Sequence, residues 1–271
     1  MKITIHTSHQ HAAPWLEAFA QGLRRHGHNP QFNAAGPADL AVMWGHGPRL
    51  APIRQAQLAS GGRYLVAEVG FFGDRLGTCS LGFDGLAGRA VWPEAPPGAA
   101  RRKSWGLKAP EPASGGDAVL LLGQMPGDAS LEGMDAARLF ASIAADIRTQ
   151  DARPLIWRPH PRARGMAQVL GADEVSTGDL SEALARAAVA VTWNSTAGVD
   201  AVLAGVPLIA LDAGAMAWDV AGHSLADLGN PPRPGKREME RWLDALAWCQ
   251  WRLAEVRSGA AWAHLKTLIE G

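Results

Sequence analysis

Tyrosine occurs once in this chain of 271 residues and cysteine twice, and neither sign of charge prevails, with 26 Lys plus Arg against 26 Asp plus Glu. Each shortage removes a class of protein. Cys79 and Cys249 supply neither a disulfide framework nor the paired spacing of a zinc site, so both read as ordinary small residues. A formally neutral chain lacks the overall basic footprint of many nucleic-acid binders, although a local patch stays open. No uncharged stretch approaches the roughly 18 residues of a membrane-spanning helix, and the N-terminus turns polar too soon for a signal peptide. The expectation is a soluble, cytoplasmic protein with no transmembrane segment. His6, His9, His11, His26, His28 and His46 make no recognisable ligand set, so no metal is assigned.

What is present is an apolar fraction of 47%, ample for a core, with 11 Trp that suit either packing or stacking on sugars and bases. Apolar runs alternate with helical periodicity. Strands are expected over 2–6, 40–44 and 64–69, and helices over 14–26 and 49–60. Trp15, Phe19 and Leu23 give the first helix its apolar face, Pro14 suits its first turn and Gly27 closes it. The segment 93–116, rich in Pro, Gly and Ala and without periodicity, reads as a linker. Beyond it strands are expected over 118–122, 154–157, 189–192 and 207–211. Helices are expected over 134–149, 163–170, 180–188 with Asp179 as cap, 196–204 and, as one long closing helix, 238–255.

Strand and helix in alternation imply α/β architecture with parallel sheets. The domain reading is an N-terminal Rossmann-like unit over 1–110, a second over 116–235, and helices over 236–271 that pack back towards the first. Two such halves define a cleft, and in open parallel sheets ligands bind beyond the carboxyl ends of the strands. The residues just after each strand therefore carry the information.

After the strand 189–192 comes "NSTAG", a turn into a helix. It offers backbone N–H groups and the hydroxyls of Ser195 and Thr196 to a phosphate or carboxylate. Plain N-capping by Asn194 or Ser195 is the competing reading. After 154–157 comes "WRPHPRARG", in which two prolines fix the backbone around His160, and Arg158, Arg162 and Arg164 surround it. An imidazole among guanidiniums suits a phosphate better than it suits a solvated loop. After 118–122 come Gly123, Gln124, Asp128 and Ser130; Asp128 is either a catalytic carboxylate or a helix cap. Glu68 stands near the end of 64–69, before a glycine-rich stretch carrying Asp74, Arg75 and Asp84. That stretch reads as an ordered loop facing the cleft, with Glu68 as an acid/base candidate or a salt-bridged strand end.

Four blocks occur in order: Glu68-x-Gly70-Phe71, Gly123-Gln124-x-x-x-Asp128-Ala129-Ser130, Pro159-His160-Pro161, and Asn194-Ser195-Thr196-x-Gly198-x-Asp200-Ala201 with Gly205 and Pro207. Together they resemble the capsule-polysaccharide β-Kdo transferases, retaining glycosyltransferases that use CMP-Kdo. The resemblance spans roughly residues 64–211. It implies a GT-B-like fold, two Rossmann-like domains with a cleft between them. It implies that His160 and the Ser195–Gly198 turn hold the donor nucleotide and that Asp128 lies near the anomeric carbon. Asp200 stands where the family carries Glu, and Pro126 replaces an acidic residue.

The resulting expectation is a glycosyltransferase with Asp128 and Glu68 as catalytic carboxylates. Gln124, Ser130, Arg158, His160, Arg162, Asn194, Ser195, Thr196, Gly198 and Asp200 bind the donor. The nucleotide-sugar is substrate, and no further cofactor is expected. The acceptor is a glycan or, if the short chain serves a phage, a hydroxymethylated base in DNA. A basic track from Arg101, Arg102 and Lys103, with Arg233, Lys236 and Arg237, would then follow the phosphates. A sugar-nucleotide epimerase and a non-catalytic saccharide or nucleic-acid binding module are the rival readings.

Overall fold

The apolar run at the start of the chain becomes strand β1 (Ile3–His6), buried at all four positions. This computed structural model describes residues 1–7, 12–163, 169 and 171–270, with the side chain of residue 270 left out. They fall into two units, Met1–Trp105 with Asp244–Gly271, and Gly106–Leu243.

In the first unit β1 leads to helix α1 (Ala13–Arg25), with Pro14 in its opening turn and Leu16, Phe19 and Leu23 buried along one face. Strands β2 (Gln31–Phe32) and β3 (Leu40–Trp44), helix α2 (Ala51–Ala59), strands β4 (Arg63–Val69) and β5 (Thr78–Phe83) and helix α3 (Ala100–Ser104) follow. β1 runs parallel to β2 and β3, and β3 parallel to β4. β5 turns back antiparallel to β4. Phe19, Leu23, Val42, Leu65 and Leu81 share the main core with Trp251 and Trp262 from the chain's end.

β5 corrects the expected loop. Cys79, Leu81 and Phe83 alternate into the core. Gly82 between them is required by space, since a Cβ there would come within 2.7 Å of the Ala90 side chain. Asp84 is structural: its carboxylate accepts from the Tyr64 N–H at 3.0 Å and pairs with Arg63.

The second unit contains β6 (Ala118–Leu122), α4 (Ala136–Gln150), β7 (Leu155–Arg158), β8 (Glu174–Val175), α5 (Leu180–Arg186), β9 (Ala187–Thr192), α6 (Ala197–Leu203) and β10 (Leu208–Ala210). α4 is capped by Asp135, whose side chain accepts from the Arg138 N–H at 3.1 Å. Asp179 caps α5 by position, without a side-chain cap bond. The sheet order is β10-β9-β6-β7-β8, with every neighbouring pair parallel. This is the third-second-first-fourth-fifth order of a Rossmann-like half, and its order reverses between β6 and β9. The helix expected over 163–170 falls mostly on residues outside those described.

α7 (Lys236–Trp248) opens the closing segment, and the boundary between the units falls within it. The single helix expected over 238–255 is broken. Strand β11 (Gln250–Arg252) interrupts it and pairs antiparallel with β5, before α8 (Leu253–Ser258), α9 (Ala260–Leu265) and α10 (Thr267–Glu270). Tertiary bonds override helix propensity here. Buried Gln250 accepts from the N–H groups of Phe71 at 2.6 Å and Phe72 at 3.2 Å, and donates to the Phe72 carbonyl at 3.1 Å.

The expected linker is also partly structured. Arg101 of α3 donates to the carbonyls of Ala247 and Gln250, both at 2.6 Å, and pairs with Glu255 at 2.7 Å. Its guanidinium stands 4.0 Å from the Trp251 ring centroid. Arg102 pairs with Asp244 at 2.8 Å. Two members of the expected DNA track are therefore engaged inside the first unit.

Candidate active site

Three adjacent parallel strands end together at one edge of the second sheet. Leu122 of β6 is in register with Thr192 of β9 on one side and Arg158 of β7 on the other. The residues that follow, Gly123-Gln124, Pro159-His160 and Trp193-Asn194, are thereby gathered at the point where the strand order reverses. Gly123 has no room for a Cβ, which would collide with the Trp157 ring.

Gln124 and Asn194 are buried there, 4% and 5% exposed, and bond to each other twice. Gln124 Nε2 donates to Asn194 Oδ1 at 2.6 Å, and the Asn194 N–H donates to Gln124 Oε1 at 3.1 Å. Gln124 Nε2 also donates to Ser130 Oγ at 2.9 Å. Asn194 Nδ2 donates to the Ser130 carbonyl at 3.0 Å and to Asp212 Oδ1 at 2.7 Å. Two buried amides so fully engaged rigidify the loops they join.

Asp128 sits at the end of this network. It caps the short turn Ala129–Leu131, and its Oδ1 accepts both the Ser130 N–H at 2.9 Å and the Ser130 Oγ–H at 2.8 Å. The capping and catalytic readings of Asp128 are compatible: the cap is what holds the carboxylate.

His160 Nδ1 accepts the Arg162 N–H at 3.2 Å, so in the neutral ring Nε2 carries the hydrogen and is a donor. Burial pushes the imidazole below its ordinary value, and Arg162 adds to this. The Asp128 carboxylate pulls the other way.

Of the three arginines expected around His160, two are described. Arg158 donates to Ser176 Oγ at 3.1 Å. Burial lowers its pKa, and Asp179 and Glu182 act to raise it, so its charge is answered on the β8–α5 side. Arg162 remains beside His160, exposed. Arg164 lies outside the described residues.

The turn after β9 also differs from expectation. Its N–H groups are engaged within the chain: Asn194 with Gln124, Ser195 with Thr192 Oγ1 at 3.1 Å, and Ala197 with Ser195 Oγ at 3.3 Å. Gly198 and Val199 donate to the carbonyls of Ser195 and Thr196, both at 2.9 Å. The turn is a braced corner, and what it offers a ligand is the hydroxyl hydrogen of Ser195 more than an array of free amides. Thr196 is the N-cap of α6 by position, without a side-chain cap bond. Gly198 packs α6 on β10, where a Cβ would lie 3.0 Å from Leu208 Cδ2. Asp200 is half-buried in the first turn of α6.

Glu68 belongs to the first unit, at the carboxyl end of β4. Its Oε1 lies 3.2 Å from the position of a Cβ on Gly45, in the loop after β3, and its Oε2 accepts the Val69 N–H at 3.2 Å. His9 and His11, the other strand-end candidates, lie outside the described residues.

The residue missed in the sequence is Asp212. It follows β10 in "LDAG", and its Oδ1 accepts from Asn194 Nδ2 and from the Gly214 N–H at 2.9 Å. An Asp directly after a strand, two residues before Gly, was the available signal. Among the described residues no group of three or more His, Cys, Asp or Glu is placed to hold a metal ion. Nor, among those residues, is any helix long and apolar enough to cross a membrane.

No protein-family model matches the chain, and no curated protein matches it by sequence. Solved structures do match. KpsC β-Kdo 2,4 transferase of Thermosulfurimonas dismutans superposes with a TM-score of 0.61 at 15% identity, over 90% of this chain and 90% of that one. KpsC β-Kdo 2,7 transferase of the same organism gives 0.59 at 12% identity, again over 90% of each chain. This chain has their fold. The GT-B-like class, with two Rossmann-like units, is therefore established, and it is the fold implied by the four sequence blocks.

Proposed function

We propose that the chain is a glycosyltransferase that binds a nucleotide-sugar at the carboxyl ends of β6, β7 and β9. One observation carries this reading. At the reversal point of a Rossmann-like sheet, a buried amide pair fixes a carboxylate after one strand, and a hydrogen-donating imidazole follows the neighbouring strand. A sugar phosphate needs that combination. His160 Nε2–H and the Ser195 hydroxyl meet the departing phosphate, with Arg162 adding charge. Asp128 faces the anomeric carbon and stabilises the positive charge of an oxocarbenium-like transition state, as nucleophile or as fixed anion. The reading requires no metal ion. The β-Kdo transfer of the two superposed structures puts Kdo-type donors first on any panel.

For the acceptor we favour a glycan hydroxyl over a DNA base. The zero net charge and the internal pairing of Arg101 and Arg102 support this choice. Comparing transfer to oligosaccharide and to hydroxymethylated DNA decides it, and transfer to DNA alone would reverse the assignment.

Donor binding is tested by thermal shift with CMP, UDP, GDP, dTDP and their sugar conjugates. A ligand at 100 times its Kd stabilises the folded state by about 2.7 kcal/mol, so one nucleotide class should raise Tm clearly. His160→Ala should lose most of that shift while keeping the unliganded Tm. Silence across the whole panel, or an undiminished shift in His160→Ala, would remove the donor site from this edge.

A further inference from the structure

The hydrogens of the buried amides can be counted one by one. Gln124 Nε2 has two, directed to Ser130 Oγ and Asn194 Oδ1. Asn194 Nδ2 has two, directed to the Ser130 carbonyl and Asp212 Oδ1. Gln124 Oε1 accepts the Asn194 N–H. Each amide therefore has one permitted sense. Reversing Asn194 would set its oxygen against the Asp212 carboxylate and the Ser130 carbonyl, and its hydrogens against those of Gln124. Because Ser130 Oγ receives a hydrogen from Gln124, its own hydrogen is committed to Asp128 Oδ1. In the chain Asp212–Asn194–Gln124–Ser130–Asp128 the donations run outward from Gln124 Nε2, through Asn194 to Asp212 and through Ser130 to Asp128. Asp212 Oδ1 and the Ser130 carbonyl are the two acceptors that hold the Asn194 end.

We propose that Asp212 is a positioning residue for Asp128, acting through Asn194, Gln124 and Ser130. The inference deepens the glycosyltransferase reading and rests on it for its catalytic consequence. Asp212 touches none of the reacting groups. It supplies one of the two acceptors that keep Asn194 from turning over, the shorter bond of the pair, and the rest of the chain orients the carboxylate at the anomeric carbon.

Asp212 also closes a local turn by accepting the Gly214 N–H, and a purely local role must be separated from the relay. Asp212→Ser does this. A serine hydroxyl can still accept from an N–H two residues on but is too short to reach Asn194. Asp212→Asn is the conservative partner: two donors converge on Oδ1, so its amide oxygen occupies that place. The proposal expects Asp212→Ser to keep a near-normal Tm and donor KM while kcat falls by about 100-fold, the scale of an ångström's misplacement. Asp212→Asn restores most of kcat. Wild-type kcat in Asp212→Ser, or no recovery in Asp212→Asn, overturns the proposal.

A readout independent of turnover is hydrogen exchange of the Asn194 and Gln124 side-chain amides by NMR. Exchange should be slow in the wild type and Asp212→Asn and fast in Asp212→Ser. Unchanged exchange in Asp212→Ser overturns the relay whatever the activity. Slow-to-fast conversion in a protein that turns over no sugar nucleotide supports the relay and sinks the glycosyltransferase reading instead.

Discussion

Gln124 shows why amide residues, not charges, hold the core of this site. Its side chain is buried and serves three partners, and no apolar residue of similar volume can replace it without stranding them. Gln124→Leu would leave the Asn194 N–H and Oδ1 without partners. Stranding buried polar groups costs about 1–3 kcal/mol, so the urea midpoint should fall with the m-value unchanged. An unaltered midpoint would mean that the pair contributes nothing. In the sequence Gln124 and Asn194 were legible as strand-end residues, and Asp128 and Ser130 as neighbours in one loop. Their mutual bonds were not legible, because strand order alone decides that β6 and β9 are adjacent. The role of Asp212 was illegible for the same reason: its partner lies 18 positions away across the β9–β10 pair.

At the level of elements, the parallel strands and their helices were readable because each carries its own periodicity. β5 and β11 were not. β5 hides its alternation behind Ser80 and Gly82, and β11 is only three residues long and continues a helical pattern. β5 exists because it pairs with β4 and β11, and β11 because it pairs with β5, facts that no local window contains. The expected free amides of the turn after β9 failed similarly, since Thr192 and Gln124 fill them from outside the motif.

One helix contact tests this account of packing. α1 meets α8 so closely that a Cβ on Gly22 would collide with the Val256 carbonyl. Backbone cannot yield as a side-chain tip does. Gly22→Ala would gain helix propensity of up to about 1 kcal/mol but should still be net destabilising through overpacking, typically about 1–3 kcal/mol. A thermal or chemical denaturation curve reads this, and a stabilised variant would contradict the close contact.

Across the whole molecule, three histidines of the first unit make stability depend on pH. His46 is pushed down to about 4, first by burial and then by Arg54. His264 is pushed down to about 4 by burial and by Arg101, and its buried Nε2 has no hydrogen-bond partner. Burial also lowers His6. In the unfolded chain histidine titrates near about 6.5. Between about 6.5 and 4 the unfolded state therefore binds more protons than the folded one, and stability falls as pH falls. Asp151, lowered chiefly by its bond to Arg153, loses its contribution only as pH drops below the ordinary carboxylate range. Tm should decline from pH 7 to pH 4.5, and His46→Gln should make the decline shallower. A flat profile would show that these rings are not held neutral.

The central claim is that Asp128 acts on a sugar whose phosphate is bound beside it. The most direct measurement is mass-spectrometric detection of sugar transfer and nucleotide release from the donor that stabilises the protein, comparing wild type with Asp128→Asn. The account predicts release and transfer by the wild type. It predicts loss of both in Asp128→Asn, with donor binding retained. Full turnover by Asp128→Asn would contradict it.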